Sequence, residues 1–357
     1  MTVTEYLELE EQYGAHNYRP LDVVLERADR VWVYDVDGRR YLDCLAAYSA
    51  VNQGHCHPRI VKACVEQARK LTLTSRAFRN DQLPRLCKQL HDLTGMDMAL
   101  LMNSGAEAVE TALKAARKWG YTVKGIPKDQ AEIIVCAGNF HGRTISVVSF
   151  STEAQYQDGF GPFTPGFRVV PFGDADALER AITPNTCAFL VEPIQGEAGI
   201  VVPPDGYLTR TYAACRDRNV LFIADEIQSG LGRAGKLFAH QYEPVTPDAI
   251  IVGKALSGGL YPVSAVLARR SAALGAYFID RLRTIESPVV KEIRGRGLWI
   301  GIELTEPARP YCEALKEEGV LCKETHERVI RIAPPLVIEV DEIDWAFERL
   351  RRVLTRP

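Results

Sequence analysis

Long apolar runs are missing from this chain. Nowhere do about 18 uncharged apolar residues follow one another, the least a bilayer-crossing helix needs. The first residues, MTVTEYLELEEQYG, are acidic and contain no apolar stretch of the kind a secretion signal requires. They also lack the arginine-rich character of an organelle transit peptide. A strong charge of one sign is absent as well. A formal net charge of −3 gives no reason to expect nucleic acid or a membrane surface as partner. Paired cysteine spacing is missing too. The nine cysteines are odd in number, include no CxxC, and several sit in apolar runs, such as Cys136 in IIVCAG and Cys187 in TCAFLVEP. They read as small buried hydrophobes in a reducing compartment, so the expected location is cytoplasmic. His55-Cys56-His57 has the look of half a metal site. No second ligand pair lies at a useful spacing, so no metal is expected.

What is present is ordinary soluble composition in 357 residues, enough for one large domain and a smaller one. RVWVYDVDGRRYLDCL places Asp37-Gly38 between two alternating segments, which predicts a hairpin. From about residue 96, short apolar runs alternate with amphipathic helical patterns. The runs are MALLM, EIIVCAG, ISVVSF, FRVVPF, CAFLVEP, VLFIADE and AIIVGK. That alternation predicts an α/β fold with a mostly parallel sheet covered on both faces. VKEIRGRGLWIGIEL and RVIRIAPPL read as strands, and PYCEALKEEG and DEIDWAFERLRRVL as helices, giving a smaller α+β unit. The expected division is an N-terminal segment (1–55) packing with the small domain, a large domain (56–270) and the small domain (271–357).

Ligands of open α/β sheets bind beyond the carboxyl ends of the strands, so the residues that end each run matter most. CAFLV ends in Glu192, VLFIA in Asp225-Glu226, and AIIVG in Lys254. A lysine after a buried run is rarely left unpaired, and a salt bridge at a sheet end is the simpler reading. A lysine that must be neutral to attack a carbonyl needs the same partly desolvated place. Ser104-Gly105-Ala106-Glu107 follows a run and opens a helix with a capping box, leaving backbone N–H groups that suit an anion. Lysine, carboxylate and anion site together point to a phosphorylated carbonyl cofactor, pyridoxal phosphate. Gly230-x-Gly232-x-x-Gly235 has the letters of a dinucleotide fingerprint. DEIQS separates it from the apolar run, so its glycines cannot make the strand-to-helix turn. Asp225 is placed better than Glu226 to hold a pyridine nitrogen, because it continues the face of Leu221 and Ile223.

These residues sit in longer stretches: YGAHNYRPLDVVLERA, AAYSAVNQGHCHP, MNSGAEAVETALKAARKWGYTVKGI, GNFHGRT, VEPIQGEAG, LFIADEIQSGLGR, GKALSGGLYPVSAVL and VIRIAPPL. Through them the chain resembles the class III (fold type I) pyridoxal-phosphate aminotransferases, and among these the ornithine δ-aminotransferases. The resemblance runs from about Tyr13 to Leu267 and from about Leu274 onward. It implies a ping-pong transfer of the δ-amino group of ornithine to 2-oxoglutarate, in a homodimer with sites at the interface, within arginine and proline metabolism. It gives Lys254 the covalent hold on the cofactor and the proton transfer, and Asp225 the ring nitrogen. Gln228 would meet the phenolic oxygen, Phe140 the ring face, and Ser104, Gly105 and Ala106 the phosphate, with Glu192 in support. Tyr18 and Tyr48 would hold ornithine's α end, and Arg143 a substrate carboxylate. Glu197 would pair with Arg331 while ornithine is bound and release it for glutamate. The acetylornithine and 4-aminobutyrate enzymes share the lysine and aspartate motifs; AAYSAVNQGHCHP and GAHNY favour ornithine.

One departure stands out. Residues 264–280 read SAVLARRSAALGAYFID. The family carries several dozen more residues between these two halves, including a loop whose threonine meets the neighbouring subunit's cofactor phosphate. Three readings are open: a segment belonging to the protein but outside this sequence, a natural or engineered deletion, or a relative that has lost catalysis. The retained Lys254, Asp225, Arg143 and Glu197 favour the first two.

Overall fold

The computed structural model describes residues 1–335 and 338–355. Leu336, the last residue of the RVIRIAPPL run, lies outside them. Three sheets are formed. The first is a meander of β1 (Leu25–Asp29), β2 (Trp32–Asp35) and β3 (Arg40–Leu42). Its β2–β3 turn is the expected hairpin. Gly38 takes φ of 82°, and Asp35 accepts the backbone N–H of Asp37 and Arg39 and the hydroxyl of Tyr41.

The second sheet comprises β4 (Met98–Met102), β5 (Glu132–Cys136), β6 (Phe167–Val170), β7 (Thr186–Val191), β8 (Leu221–Asp225), β9 (Ala249–Val252) and β10 (Ser264–Ala268), in the order β4-β10-β9-β8-β7-β5-β6. Only β10 runs against its neighbours. Side chains alternate between two cores. Ile133, Val135, Leu190 and Ile223 meet Val109, Ala112, Leu113 and Ala116 of the helix Gly105–Thr122. Ile134, Cys136, Phe189 and Phe222 meet Leu178, Leu208 and Cys215 on the opposite side. This is why the runs are continuous in apolar character: both faces are covered. Each fully buried Ile, Leu or Phe contributes roughly 1.5–3 kcal/mol, and the sum fixes the strand ends that carry the chemistry.

ISVVSF is a correction. It forms the short helix Ile145–Val148, with Val147 and Val148 buried, and not a strand. A short apolar run has no periodicity that separates the two outcomes. The cysteines also divide differently from expectation. Cys136, Cys187, Cys215 and Cys312 are buried, but Cys44, Cys56 and Cys64 are exposed. Those three lie in the N-terminal quarter, where the helix Pro58–Lys70 buries none of its residues.

The third sheet is antiparallel, in the order β11-β12-β14-β13 for β11 (Val290–Arg296), β12 (Trp299–Leu304), β13 (Lys323–Thr325) and β14 (Val329–Ile332). One face packs Ile300, Ile302, Ile330 and Ile332 against Phe278, Leu282, Leu315 and Phe347 of three helices. Trp299 and Arg331 are exposed on the strands' other side. β10 and the helix Arg270–Arg283 are separated by Arg269 alone.

Candidate active site

Five strands of the central sheet, β4, β5, β7, β8 and β9, deliver the residues beyond their carboxyl ends to one cavity of about 210 Å³. It is lined by Gly105, Ala106, Phe140, His141, Glu192, Ile194, Asp225, Gln228 and Lys254, among others. β9 ends at Val252, and Lys254 follows in a 3-10 turn with φ of 41°. A non-glycine residue held there costs about 1–3 kcal/mol, which the packed sheet end must offset. Burial pushes the Lys254 ammonium below its ordinary value, and the charges of Glu197, Asp225 and Glu192 only partly oppose this. A neutral, nucleophilic amine is therefore more accessible here than on the surface.

Asp225 ends β8 on the face expected. Its Oδ1 accepts the Ile227 N–H at 3.0 Å, and its Oδ2 lies 2.7 Å from Nδ1 of His141. Glu192, just past β7, accepts the Phe140 N–H at 3.1 Å. Burial raises the Glu192 carboxyl to about 7, and the neighbouring Asp225 adds to the rise while His141 opposes it. At neutral pH that side chain can stand in either protonation state.

The anion site is the start of the helix Gly105–Thr122. Ser104 and Glu107 cap each other, Ser104 Oγ accepting the Glu107 N–H and Glu107 accepting the Ser104 N–H at 2.6 Å. The N–H groups of Gly105 and Ala106 have no intrahelical acceptor, and both residues line the cavity. Ser264 of β10 donates to the Ser104 carbonyl at 2.6 Å, pinning this end to the sheet. Two glycines make room. Gly142 has φ of 127°, and a Cβ there would come within 2.9 Å of the Ala106 Cβ. A Cβ on Gly196 would overlap the Gln228 side chain at 1.4 Å. A reactive amine, a buried carboxylate across the cavity and free helix-start N–H groups fit pyridoxal phosphate in charge and in order.

A second cavity, about 450 Å³, adjoins the first through Ile194, Gln228 and Ser229, and is walled by Tyr48, Glu197 and Arg233. Gln228 Nε2 donates to Glu197 at 3.1 Å. Tyr48 sits 5.9 Å, ring centroid to Nζ, from Lys254. It belongs to a turn, Ala46–Ser49, whose four residues all have φ between 47° and 76°. A left-handed turn of L-residues costs roughly 1–2 kcal/mol per residue, and nothing in AAYS announces it. Arg143 lies over the rings of Tyr18 (4.9 Å), Tyr156 (5.6 Å) and Phe140 (5.8 Å), and lines a further cavity with Asn17 and Tyr156. Arg331 is not brought to this group. It lies over Trp299 at 5.3 Å in the C-terminal sheet, and the partner of Glu197 is Gln228.

Two contributors escape a reading of the sequence. His141 is one. The other is the use made of Glu226, which accepts from Ser229 Oγ, the N–H of Ala239 and His240, and lies 2.9 Å from Nδ1 of His240. Asp225 faces the cavity, and Glu226 clips the following loop shut. Breaking a buried pair of this kind costs roughly 3–5 kcal/mol. The same clip decides the fate of the glycine motif. Gly230, Gly232 and Gly235 lie in turns, and the next helical element is the 3-10 turn Ala239–Tyr242. No phosphate-binding helix opens there.

The model of the family described as aminotransferase class-III matches residues 13–273 and 267–354. An ornithine aminotransferase from Exiguobacterium sp. is 58% identical over 390 aligned residues, covering 98% of this chain and 97% of that protein. The ornithine aminotransferase of Bacillus subtilis is 53% identical, covering 98% of this chain and 97% of that protein. The crystal structure of the ornithine aminotransferase from Toxoplasma gondii superposes with a TM-score of 0.74 at 41% identity, covering 99% of this chain and 95% of that one. The first alignment has 390 positions against 357 residues here, so at least 33 (390 − 357) positions have no counterpart in this chain. The family match breaks where SAVLA meets the next helix, which is the departure read from the sequence. With both parts of the family model matched and relatives above half identity across the chain, the chain belongs to the class-III aminotransferases.

Proposed function

We infer that the chain transfers the δ-amino group of ornithine to 2-oxoglutarate, giving glutamate 5-semialdehyde and glutamate, with pyridoxal 5'-phosphate as cofactor. The observation that carries this reading is a desolvated Lys254 facing the same cavity as the buried Asp225 and the open helix start at Gly105. Bound pyridoxal phosphate supplies an electron sink for charge developing beside its reacting carbon. The chain's own residues do the rest. Lys254, whose ammonium burial holds below its ordinary value, would take a proton from the substrate carbon and return it. Asp225 would keep a proton on the ring nitrogen. The Gly105 and Ala106 N–H groups would hold the phosphate, with Phe140 and Gln228, which line the same cavity, beside the ring and its phenolic oxygen. Ser104 and Glu192 act in support. Tyr18, Tyr48 and Arg143 receive the end of ornithine that does not react. The test is borohydride reduction with pyridoxal phosphate present, followed by peptide mapping. The label is expected on Lys254; a label elsewhere, or none with cofactor retained, refutes the assignment.

Glu197 is proposed to set the order of the two substrates. Ornithine presents no carboxylate beside the reacting carbon, whereas glutamate does. A cation serving the second substrate would be an unpaired charge during the first. Glu197 would neutralise Arg331 in that interval, exchanging its present hydrogen bond to Gln228 for the arginine. Glu197→Ala is expected to slow the ornithine half-reaction by roughly ten-fold, about 1.4 kcal/mol, and to leave the glutamate half-reaction unchanged or faster. Single-turnover absorbance measures both. Equal slowing would make Glu197 a structural residue. A homodimer belongs to the same proposal. The helix Pro58–Lys70 has apolar Val61 and Val65 exposed, and Leu73 and Phe78 beyond it are exposed too. Such surface on one chain suits burial against a second copy.

A further inference from the structure

His141 is among the most enclosed polar residues of the site, and one of its nitrogens is unused. Its side chain is 1% exposed, and that of Asp225 is 4%. Nδ1 lies 2.7 Å from Asp225 Oδ2, whereas Nε2 is buried with no hydrogen-bond partner. The atom facing Nδ1 is a carboxylate oxygen, which only accepts, so Nδ1 carries the hydrogen. Charged groups acting on the ring are Asp225 and Glu192; Lys254 lines the same cavity. Burial alone would push the imidazolium down, but the Asp225 hydrogen bond and the two carboxylates outweigh it and hold the ring above its ordinary value.

Asp225 needs this help. With Ile227 N–H on Oδ1 and His141 on Oδ2, both oxygens are anchored and the carboxylate plane is fixed. Each oxygen keeps a lone pair for a third donor. Without His141 one oxygen would be free to turn, and the buried charge would lose a charge-assisted hydrogen bond.

We propose that His141 is a positioning residue for the transamination: through Asp225 it fixes the direction and charge of the carboxylate that meets the cofactor's ring nitrogen. The proposal rests on the cofactor reading above. The hydrogen-bond partner of His141 is Asp225, so its removal is expected to act through that carboxylate, on both half-reactions alike and without a change in ornithine binding.

The test compares His141→Leu, which removes the donor, with His141→Asn, whose amide can donate from nearly the same place as Nδ1. Bound-cofactor absorbance is titrated against pH in both holoenzymes and in Asp225→Asn. The leucine variant is expected to move the midpoint by roughly one to two pH units, in the direction Asp225→Asn moves it. Its kcat should fall roughly ten- to a hundred-fold in both half-reactions, with KM for ornithine unchanged. The asparagine variant should restore the midpoint and most of the rate. A readout independent of cofactor is nitrogen-15 NMR of the cofactor-free chain, where a hydrogen on Nδ1 should persist through neutral pH and its signal should shift in Asp225→Asn. A leucine variant that titrates like the unmodified enzyme, equal shifts in both variants, or no hydrogen on Nδ1 would each overturn the proposal. If the unmodified chain instead binds no pyridoxal phosphate at Lys254, the cofactor reading fails, while the NMR result still reports on the His141–Asp225 bond.

Discussion

Replacing Asp225 by asparagine lowers transamination on the order of a hundred- to several-thousand-fold while the chain stays folded. The carboxylate is 4% exposed and already holds two donors, Ile227 N–H and His141. An amide in its place keeps the shape. Its oxygen can still accept from one of those donors, so the local packing survives. What it cannot do is carry the negative charge that, on the proposed role, would keep a proton on the ring nitrogen. Removing one partner of a buried charge pair costs roughly 3–5 kcal/mol, and here the cost falls mostly on the transition state. Steady-state rates with ornithine and 2-oxoglutarate, taken beside urea unfolding curves, measure the two parts separately. A variant that keeps more than half its activity would remove Asp225 from the ring-nitrogen role.

Cofactor retention is the second large effect. In the families this chain resembles, a loop from the absent segment lends a threonine to the neighbouring subunit's phosphate. Without that loop, the phosphate would rest on the helix-start N–H groups of Gly105 and Ala106, as proposed above. A cavity of about 340 Å³, lined by Asn103, Ser104, Ser257 and Tyr261, adjoins the same helix start. One lost hydrogen bond to a charged group is worth roughly 1.5–3 kcal/mol, so affinity should be about ten- to a hundred-fold weaker than in relatives that possess the segment. Activity and cofactor absorbance should fall on dialysis, and added pyridoxal phosphate should restore both and raise the melting temperature. Intact mass on the same sample, against 39.7 kDa, shows that the chain under test is this one. Tight retention by a chain of that mass would refute the argument.

The parts of the site legible in the sequence are those written into single strand ends. Lys254, Asp225 and the Ser104–Glu107 cap each follow an apolar run, and a run whose end is fixed by burial places its next residue. Six of the seven strands of the central sheet were legible for the same reason, since its two cores take alternate residues of one strand; β10, the antiparallel one, was not among the apolar runs. Relations across the fold were not. His141 and Asp225 stand 84 residues apart, and no periodicity joins them. The ISVV helix and the left-handed turn at Ala46–Ser49 are set by what surrounds them, against local preference. The Glu197–Arg331 pair came from resemblance alone, and the structure seats its two members on different partners, Gln228 and Trp299.

The join at Arg269 has a mechanical side. β10 stops at Ala268, and the helix that carries the C-terminal sheet starts at Arg270. The Arg269 N–H is itself tied to the Asp248 carbonyl at 3.1 Å. A hinge works by spreading rotation over a few unpaired residues, and shear works by sliding a long helix along its neighbour. This junction supplies one pair of backbone torsions, half of it tethered. The C-terminal unit is therefore geared to the central sheet as a lever with a short, stiff fulcrum. The swing proposed to carry Arg331 toward Glu197 would, if it turned at Arg269, have to strain the tether to Asp248.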